Sequence, residues 1–538
     1  MKTIKTTVTN HKRTLKLIFL SVFVFPFVIS FIYNAVVVCP SLSKQCLIEY
    51  TFKNILNISV FTIWLFIYFR WIHPTSETYI KEEVVPVKYT SPYMFLFRTR
   101  KGNLLITGNP FRGFLVIGGA GSGKSESIVN ALIWNSAVNK FSGMVYDFKF
   151  PTLTQQVLHE YSEHSSNTPI HVVCFNDLTH SKRINPLRYV KNQAYAREYA
   201  QAVIKNLLPE SIERMDFWTR SITDLLTAEI FYLSQEHPHL CTLPHVIAMN
   251  YQDEEKLIRM LCTNLECAGM VRSIEVALKN KSSNQLSGVF STLQSALSRL
   301  NLPEIFWVLS GNDFDITLNN PDNPQFLCIG NDPELSDTYA PAISLIMTVA
   351  LKQLNTPNRH PSIVIMDEAP TVFIPNIDRI PATARSNKVA FAYCAQDISQ
   401  IVAGYGNTNA ESIIGNLNNQ FYGRVSNPKT AEHIVRLFGK EEKEVYSESR
   451  STSSQGSSQS VSKSIQERNR HNTQEFLQLD TGEFAFFLVD SKHRDGIVYL
   501  VHKPSQFAPL PETHTDIDLK ANFARIYDDV KLLFDTLE

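Results

Sequence analysis

The chain has 538 residues, with 51 Lys plus Arg against 51 Asp plus Glu and no formal net charge. That length exceeds the usual size of one core, so two or more folded units are expected. The balanced charge gives no compositional argument for a polyanion partner, so any nucleic-acid contact must come from local patches or from a ring.

No charged residue occurs from Leu17 to Ser43, and the apolar part through Cys39 is long enough to cross a hydrocarbon core of about 30 Å. Pro26 is tolerable in such a helix. A cleaved signal peptide is disfavoured: the apolar stretch is too long, and Val36 to Cys39 runs into Pro40 without a small-x-small cleavage pattern. A second apolar run between Lys53 and Arg70 is somewhat short, and Trp64, Trp71 and snorkelling cations complete it. Lys2, Lys5, Lys12, Arg13 and Lys16 precede the first span, and Arg70, Lys81, Lys88, Arg98, Arg100 and Lys101 follow the second. The expected anchor is therefore a hairpin over 1–73, with spans about 17–39 and 54–72 and both termini cytoplasmic. Cys39 and Cys46 bracket its loop; pairing and free thiols both fit the sequence.

After Pro86 to Pro92, short β-branched runs alternate with helical patterns, the signature of an α/β fold with a parallel sheet covered on both faces. Candidate strands are Phe114 to Ile117, Gly143 to Tyr146, His171 to Phe175, Phe326 to Ile329, Ser362 to Met366 and Val389 to Cys394. Between Ala194 and Leu309 helical periodicity takes over, as in Trp218 to Leu233 and Ser287 to Leu300. The expected division is a nucleotide-binding domain in two parts, 74–190 and 316–510, an all-α insertion at 191–315, and a C-terminal tail at 511–538. A Ser-rich stretch, Ser447 to Ser464, lacks an apolar period and reads as a mobile loop. Two further β-type runs, Phe484 to Val489 and Ile497 to Val501, are separated by a charged turn containing Asp495-Gly496. The cysteines form no metal ladder: Cys174, Cys328 and Cys394 sit inside apolar runs, and Cys262 and Cys267 lack nearby His.

Gly118, Gly119, Ala120, Gly121, Ser122, Gly123, Lys124 and Ser125 fit G-x-x-x-x-G-K-[ST] between a strand and a helix. The glycines let backbone N–H groups curl around phosphate oxygens at a helix N-terminus. Lys124 would reach the β- and γ-phosphates of ATP, and the Ser125 hydroxyl would join a Mg2+ shell. Asp367 and Glu368 end an apolar strand; Asp367 would hold the Mg2+, largely through water, and Glu368 would orient or deprotonate the attacking water. Gln396 ends a third strand, where a neutral amide can contact the γ-phosphate or the water. Arg385 is either a surface cation or a finger reaching a neighbour's nucleotide.

In their order, these features resemble the type IV secretion coupling proteins, the TraG/TraD-like conjugation ATPases, over nearly the whole chain. The resemblance rests on the N-terminal hairpin, Gly118 to Ser125, Tyr146-Asp147-Phe148-Lys149, and Phe175-Asn176 with Asn185-Pro186-Leu187. It continues with Phe217-Trp218, Ile365 to Ala369, Gln396 and Tyr405-Gly406. It implies a homo-hexameric ring on the bacterial inner membrane, built from a RecA-like P-loop domain and an all-α domain that helps to select cargo. The implied partners are a relaxase on single-stranded DNA, or effector proteins, and the components of a type IV secretion channel. The family's arginine finger lies eleven residues before its sensor Gln, the spacing of Arg385 to Gln396. The family's Asp-Pro-Lys-Gly-Glu appears here as Asp147-Phe148-Lys149-Phe150-Pro151, a form that looks like a mobilisation-type branch. Competing readings are an FtsK/HerA-like DNA translocase, a secretion-channel assembly ATPase, and a nucleotide-gated membrane docking adaptor.

Overall fold

A computed structural model describes residues 93–212, 214–280, 283–453, 456–502 and 506–536. The expected hairpin over 1–73, with Cys39 and Cys46, lies outside the described residues. Among those described, no helix is long and apolar enough to cross a membrane.

The centre is a nine-stranded sheet in the order β13-β12-β9-β3-β8-β7-β4-β6-β5. Its strands are β3 (Phe114–Ile117), β4 (Ser142–Asp147), β5 (Ile170–Val173), β6 (Phe326–Gly330), β7 (Ser362–Met366), β8 (Val389–Ala395), β9 (Asn419–Tyr422), β12 (Glu483–Phe487) and β13 (Asp495–Tyr499). From β9 to β5 every neighbouring pair is parallel, and β12 joins β9 and β13 antiparallel. β3, β7 and β8 are buried along their whole length, which explains their unbroken apolar runs. Alternation survives as a division between two cores: Phe114 and Val116 face one, Leu115 and Ile117 the other. Gly143 in β4 has φ 139°, and a β-carbon there would sit 1.9 Å from the Ile363 carbonyl oxygen, so only glycine lets β4 and β7 meet.

One face of the sheet carries α1 (Asn130–Val138) and α2 (Thr152–His164), together with the small antiparallel pair β1 (Phe95–Arg98) and β2 (Leu104–Thr107). The other face belongs to a larger core that continues into the helices between β5 and β6. These are α3 (Gln193–Leu207), α4 (Phe217–Glu236), α5 (Leu243–Met249), α6 (Glu254–Leu261), α7 (Leu265–Met270), α8 (Arg272–Lys279), α9 (Ser283–Leu297) and α10 (Pro303–Leu309). Side chains of Asn192, Asp216 and Asp253 accept from first-turn amides of α3, α4 and α6, starting each helix at a residue suited to capping. On the same face follow α11 (Ser336–Leu354), α12 (Ile380–Ala384) and α13 (Ile398–Asn416), and then α14 (Pro428–Phe438) and α15 (Thr473–Leu477). The described residues belong to one compact unit.

Two expectations are corrected. The Ser-rich stretch is not a loop but most of a hairpin, β10 (Lys440–Ser453) with β11 (Gly456–Asn469), paired from Lys440↔Asn469 to Ser453↔Gly456. Cross-strand backbone hydrogen bonds need no apolar period, which is why composition missed it. Asp495-Gly496 is not the turn between the last two strands: Asp495 pairs with Phe487 and Gly496 with Phe486, so the turn lies earlier. The C-terminal tail contains α16 (Leu519–Asp535), whose Ile526, Val530, Leu533 and Phe534 are buried in the large core. Phe523 and Tyr527 on it pack against Phe306 of α10, with ring centroids 4.6 and 6.0 Å away.

Candidate nucleotide site

The site forms where β3, β8 and β7, adjacent and parallel, end on the same side of the sheet. β3 delivers Gly118, β8 delivers Gln396 and β7 delivers Asp367. Ligands of open α/β sheets bind at such carboxyl ends.

The loop Gly118 to Lys124 is held on two sides, by carbonyls that accept from its amides and by donors to its own carbonyls. Gly118 N donates to Ala395 O (3.2 Å) and Gly119 N to Arg424 O (2.8 Å). From behind, Gly482 N donates to Ser122 O (3.0 Å) and Thr481 Oγ1 to Gly121 O (2.9 Å). Gly121 and Gly123 have φ 71° and 89°, and a β-carbon on Gly123 would lie 2.9 Å from Gly482 N. Ser125 opens a π-type turn, Ser125–Val129, that runs directly into α1. Lys124 is buried; its ammonium donates to Gly118 O and lies 3.5 Å from Glu368 Oε1.

Asp367 and Glu368 are also buried. Burial first, then the neighbouring Glu368 and Asp147, push the Asp367 carboxyl up to about 7; Lys124 and Lys149 oppose the shift. Burial likewise raises Asp147 to about 6, although its carboxylate accepts from Thr154 N (2.9 Å) and Thr154 Oγ1 (3.0 Å). Asp367 Oδ1, Asp147 Oδ1 and Ser122 Oγ are buried with no partner among the described residues. Crowded carboxylates with an orphaned oxygen suit a divalent cation, which would compensate the charge that burial penalises. Among the described residues no three His, Cys, Asp or Glu side chains form a self-sufficient metal site. Mg2+ in nucleotide sites needs none, since it takes one or two protein ligands and completes its shell with phosphate and water.

Beside these groups opens a cleft of about 490 Å³ lined by Phe148, Lys205, Arg299, Glu368, Gln396 and Tyr405, among others. Gln396 N donates to Gln400 Oε1 (3.1 Å), and Asp397 caps α13 immediately afterwards. Arg385 is not brought to this site. It is exposed in a 3-10 turn, Arg385–Asn387, that enters β8 at its opposite end. The seven residues of β8 put it roughly 20 Å from Gln396 at about 3.3 Å per residue.

Sequence reasoning missed the supports: Arg424 and Thr481-Gly482 behind the loop, Thr154 on Asp147, and Lys205 and Arg299 in the cleft. All but Thr154, seven residues from Asp147, lie far along the chain from the motif they serve. Only Thr481-Gly482, a turn pair before a β-type run, left a local signal.

A family profile described as type IV secretory system conjugative DNA transfer matches residues 73–499. No curated protein sequence matches the chain. Among solved structures, the chain is similar to the bacterial conjugative coupling protein TrwB lacking 70 N-terminal residues, in its unbound monoclinic form. The TM-score is 0.61 at 16% identity, over 78% of this chain and 90% of that one. TrwB with ADP and Mg2+ matches with TM-score 0.53 and 16% identity, over 75% and 87% of the two chains. TrwB with the ATP analogue ADPNP matches with TM-score 0.54 and 16% identity, over 76% and 88%. At such identities the likeness is one of fold.

Proposed function

The chain belongs to the type IV secretory system conjugative DNA transfer family, and we propose that it is the family's Mg2+-dependent ATPase, driving DNA into a secretion channel. The observation that carries this reading is the convergence of β3, β8 and β7, with Lys124 Nζ 3.5 Å from Glu368 Oε1 at their common end. TrwB, similar in fold, has been solved with ADP and Mg2+ and with ADPNP, which supports ATP and Mg2+ as the ligands here.

In this reading Lys124 exchanges its contact with Gly118 O for the β- and γ-phosphates. Ser125 and Asp367 hold the nucleotide's Mg2+, which supplies charge neutralisation on the phosphate oxygens. Glu368, released from Lys124, orients the attacking water, and Gln396 contacts that water or the γ-phosphate. Arg385, out of reach of its own loop, acts on the nucleotide of a neighbouring subunit in a homo-hexamer. The hairpin over 1–73 anchors the ring in the inner membrane with both termini cytoplasmic. The cargo is single-stranded DNA with its relaxase, or effector proteins.

Lys124→Ala in the full chain should abolish ATP hydrolysis with the thermal transition retained. Turnover equal to the parent protein would end this assignment. Absence of hydrolysis in the parent itself, with ATP-dependent partner binding, would make the chain a docking adaptor instead.

A further inference from the structure

Glu368 has φ 48° and ψ 50°, a left-handed conformation that costs a residue with a β-carbon roughly 1–2 kcal/mol. Something must hold it. Thr371 N and Thr371 Oγ1 both donate to Glu368 O, at 3.0 and 2.7 Å. The Thr371 hydroxyl is 2.8 Å from that of Tyr146, which accepts from Asn331 Nδ2 at 2.8 Å.

The direction of this chain is forced. Asn331 Oδ1 accepts from Asp332 N (2.8 Å), so its amino group faces Tyr146. A carbonyl only accepts, so Thr371 gives its proton to Glu368 O. Tyr146 must then give its own to Thr371. Every hydroxyl donates once and accepts once, with Tyr146 and Asn331 buried. The members sit on β4, at the end of β6 and in the turn after β7, three adjacent strands. Asn331 is itself fixed to the end of β4, its amide donating to Asp147 O (2.9 Å).

We propose that Asn331, Tyr146 and Thr371 form a positioning relay that locks the backbone of Glu368 in the conformation from which its carboxylate addresses the attacking water. The inference rests on the ATPase reading and adds three positioning residues to it. None of them needs to touch nucleotide.

The test uses full-length protein carrying Tyr146→Phe, Thr371→Val or Thr371→Ser, with kcat, KM for ATP and the affinity for a non-hydrolysable ATP analogue measured for each. The relay predicts that Tyr146→Phe and Thr371→Val each lower kcat about tenfold, with KM and analogue affinity within about twofold. Thr371→Ser, which keeps the hydroxyl, should recover most of the rate. In a Glu368→Gln background Tyr146→Phe should cause no further loss, because the group being positioned is gone. An unchanged kcat in Tyr146→Phe overturns the relay, as does a loss of analogue affinity in step with kcat. An equal further loss in the Glu368→Gln background overturns it too, since the hydroxyls would then act elsewhere. Hydrolysis surviving Lys124→Ala would instead overturn the ATPase reading, and the relay with it; a dead Lys124→Ala beside a fully active Tyr146→Phe isolates the failure to the relay.

Discussion

Glu368 faces Lys124 across 3.5 Å, so removing its charge should separate binding from chemistry. Glu368→Gln keeps the shape and frees Lys124; ATP binding should persist while kcat falls by about 100-fold or more. An isothermal titration showing lost ATP affinity would assign Glu368 to binding. Glu229 on α4 offers a stability test far from the site. It is wholly buried, with Asn250 Nδ2 donating to Oε2 at 2.8 Å, and burial raises its carboxyl from 4.5 to about 8. Above pH 4.5 the unfolded chain gives up this proton while the native protein keeps it, so stability declines as pH rises towards 8. Glu229→Gln accepts the same hydrogen bond without titrating. It should flatten the pH dependence of Tm across that window and raise Tm at pH 8 by about 2–5 °C, and parallel curves for the two proteins would refute the assignment.

At the scale of elements, α16 is the feature that composition left as a tail. Its Ile526 is fully buried in the core shared with the helices between β5 and β6. His245 on α5 lies 3.5 Å from Asp529 of α16, and burial lowers that imidazole to about 4. The His245 imidazole is therefore largely neutral at pH 7, and apolar packing must carry most of the docking. Ile526→Ala should cost about 2–5 kcal/mol and increase amide exchange across Leu519–Asp535, while nucleotide affinity stays intact. Exchange unchanged in α16 would mean that Ile526 does not hold it. The β10–β11 hairpin differs in kind: its base carries exposed pairs such as Lys440–Glu467 (3.3 Å) and Lys463–Glu444 (2.6 Å), which contribute little individually.

At the scale of the whole molecule, the proposed trans role of Arg385 is tested by mixing variants. It stands roughly 20 Å from Gln396, at the opposite end of β8. Lys124→Ala and Arg385→Ala should each be inactive alone, and mixing the two should restore part of the hydrolysis at interfaces pairing an intact Lys124 with an intact Arg385. No recovery on mixing would remove the trans role. The sequence by itself determined the α/β class and the strands that end at Gly118, Asp367 and Gln396, because phosphate loops and buried strand ends are written in contiguous residues with local backbone demands. It left the hairpin at Lys440–Asn469 as a loop and α16 as a tail, because neither backbone pairing without an apolar face nor a partner supplied by distant helices has a local signature. Only the tertiary structure decided that β8 lies between β3 and β7, that Arg424 and Gly482 back the phosphate loop, and that Asn331, Tyr146 and Thr371 meet behind Glu368. Such contacts join residues tens to hundreds of positions apart, and strand order, which no local spacing encodes, brings them together.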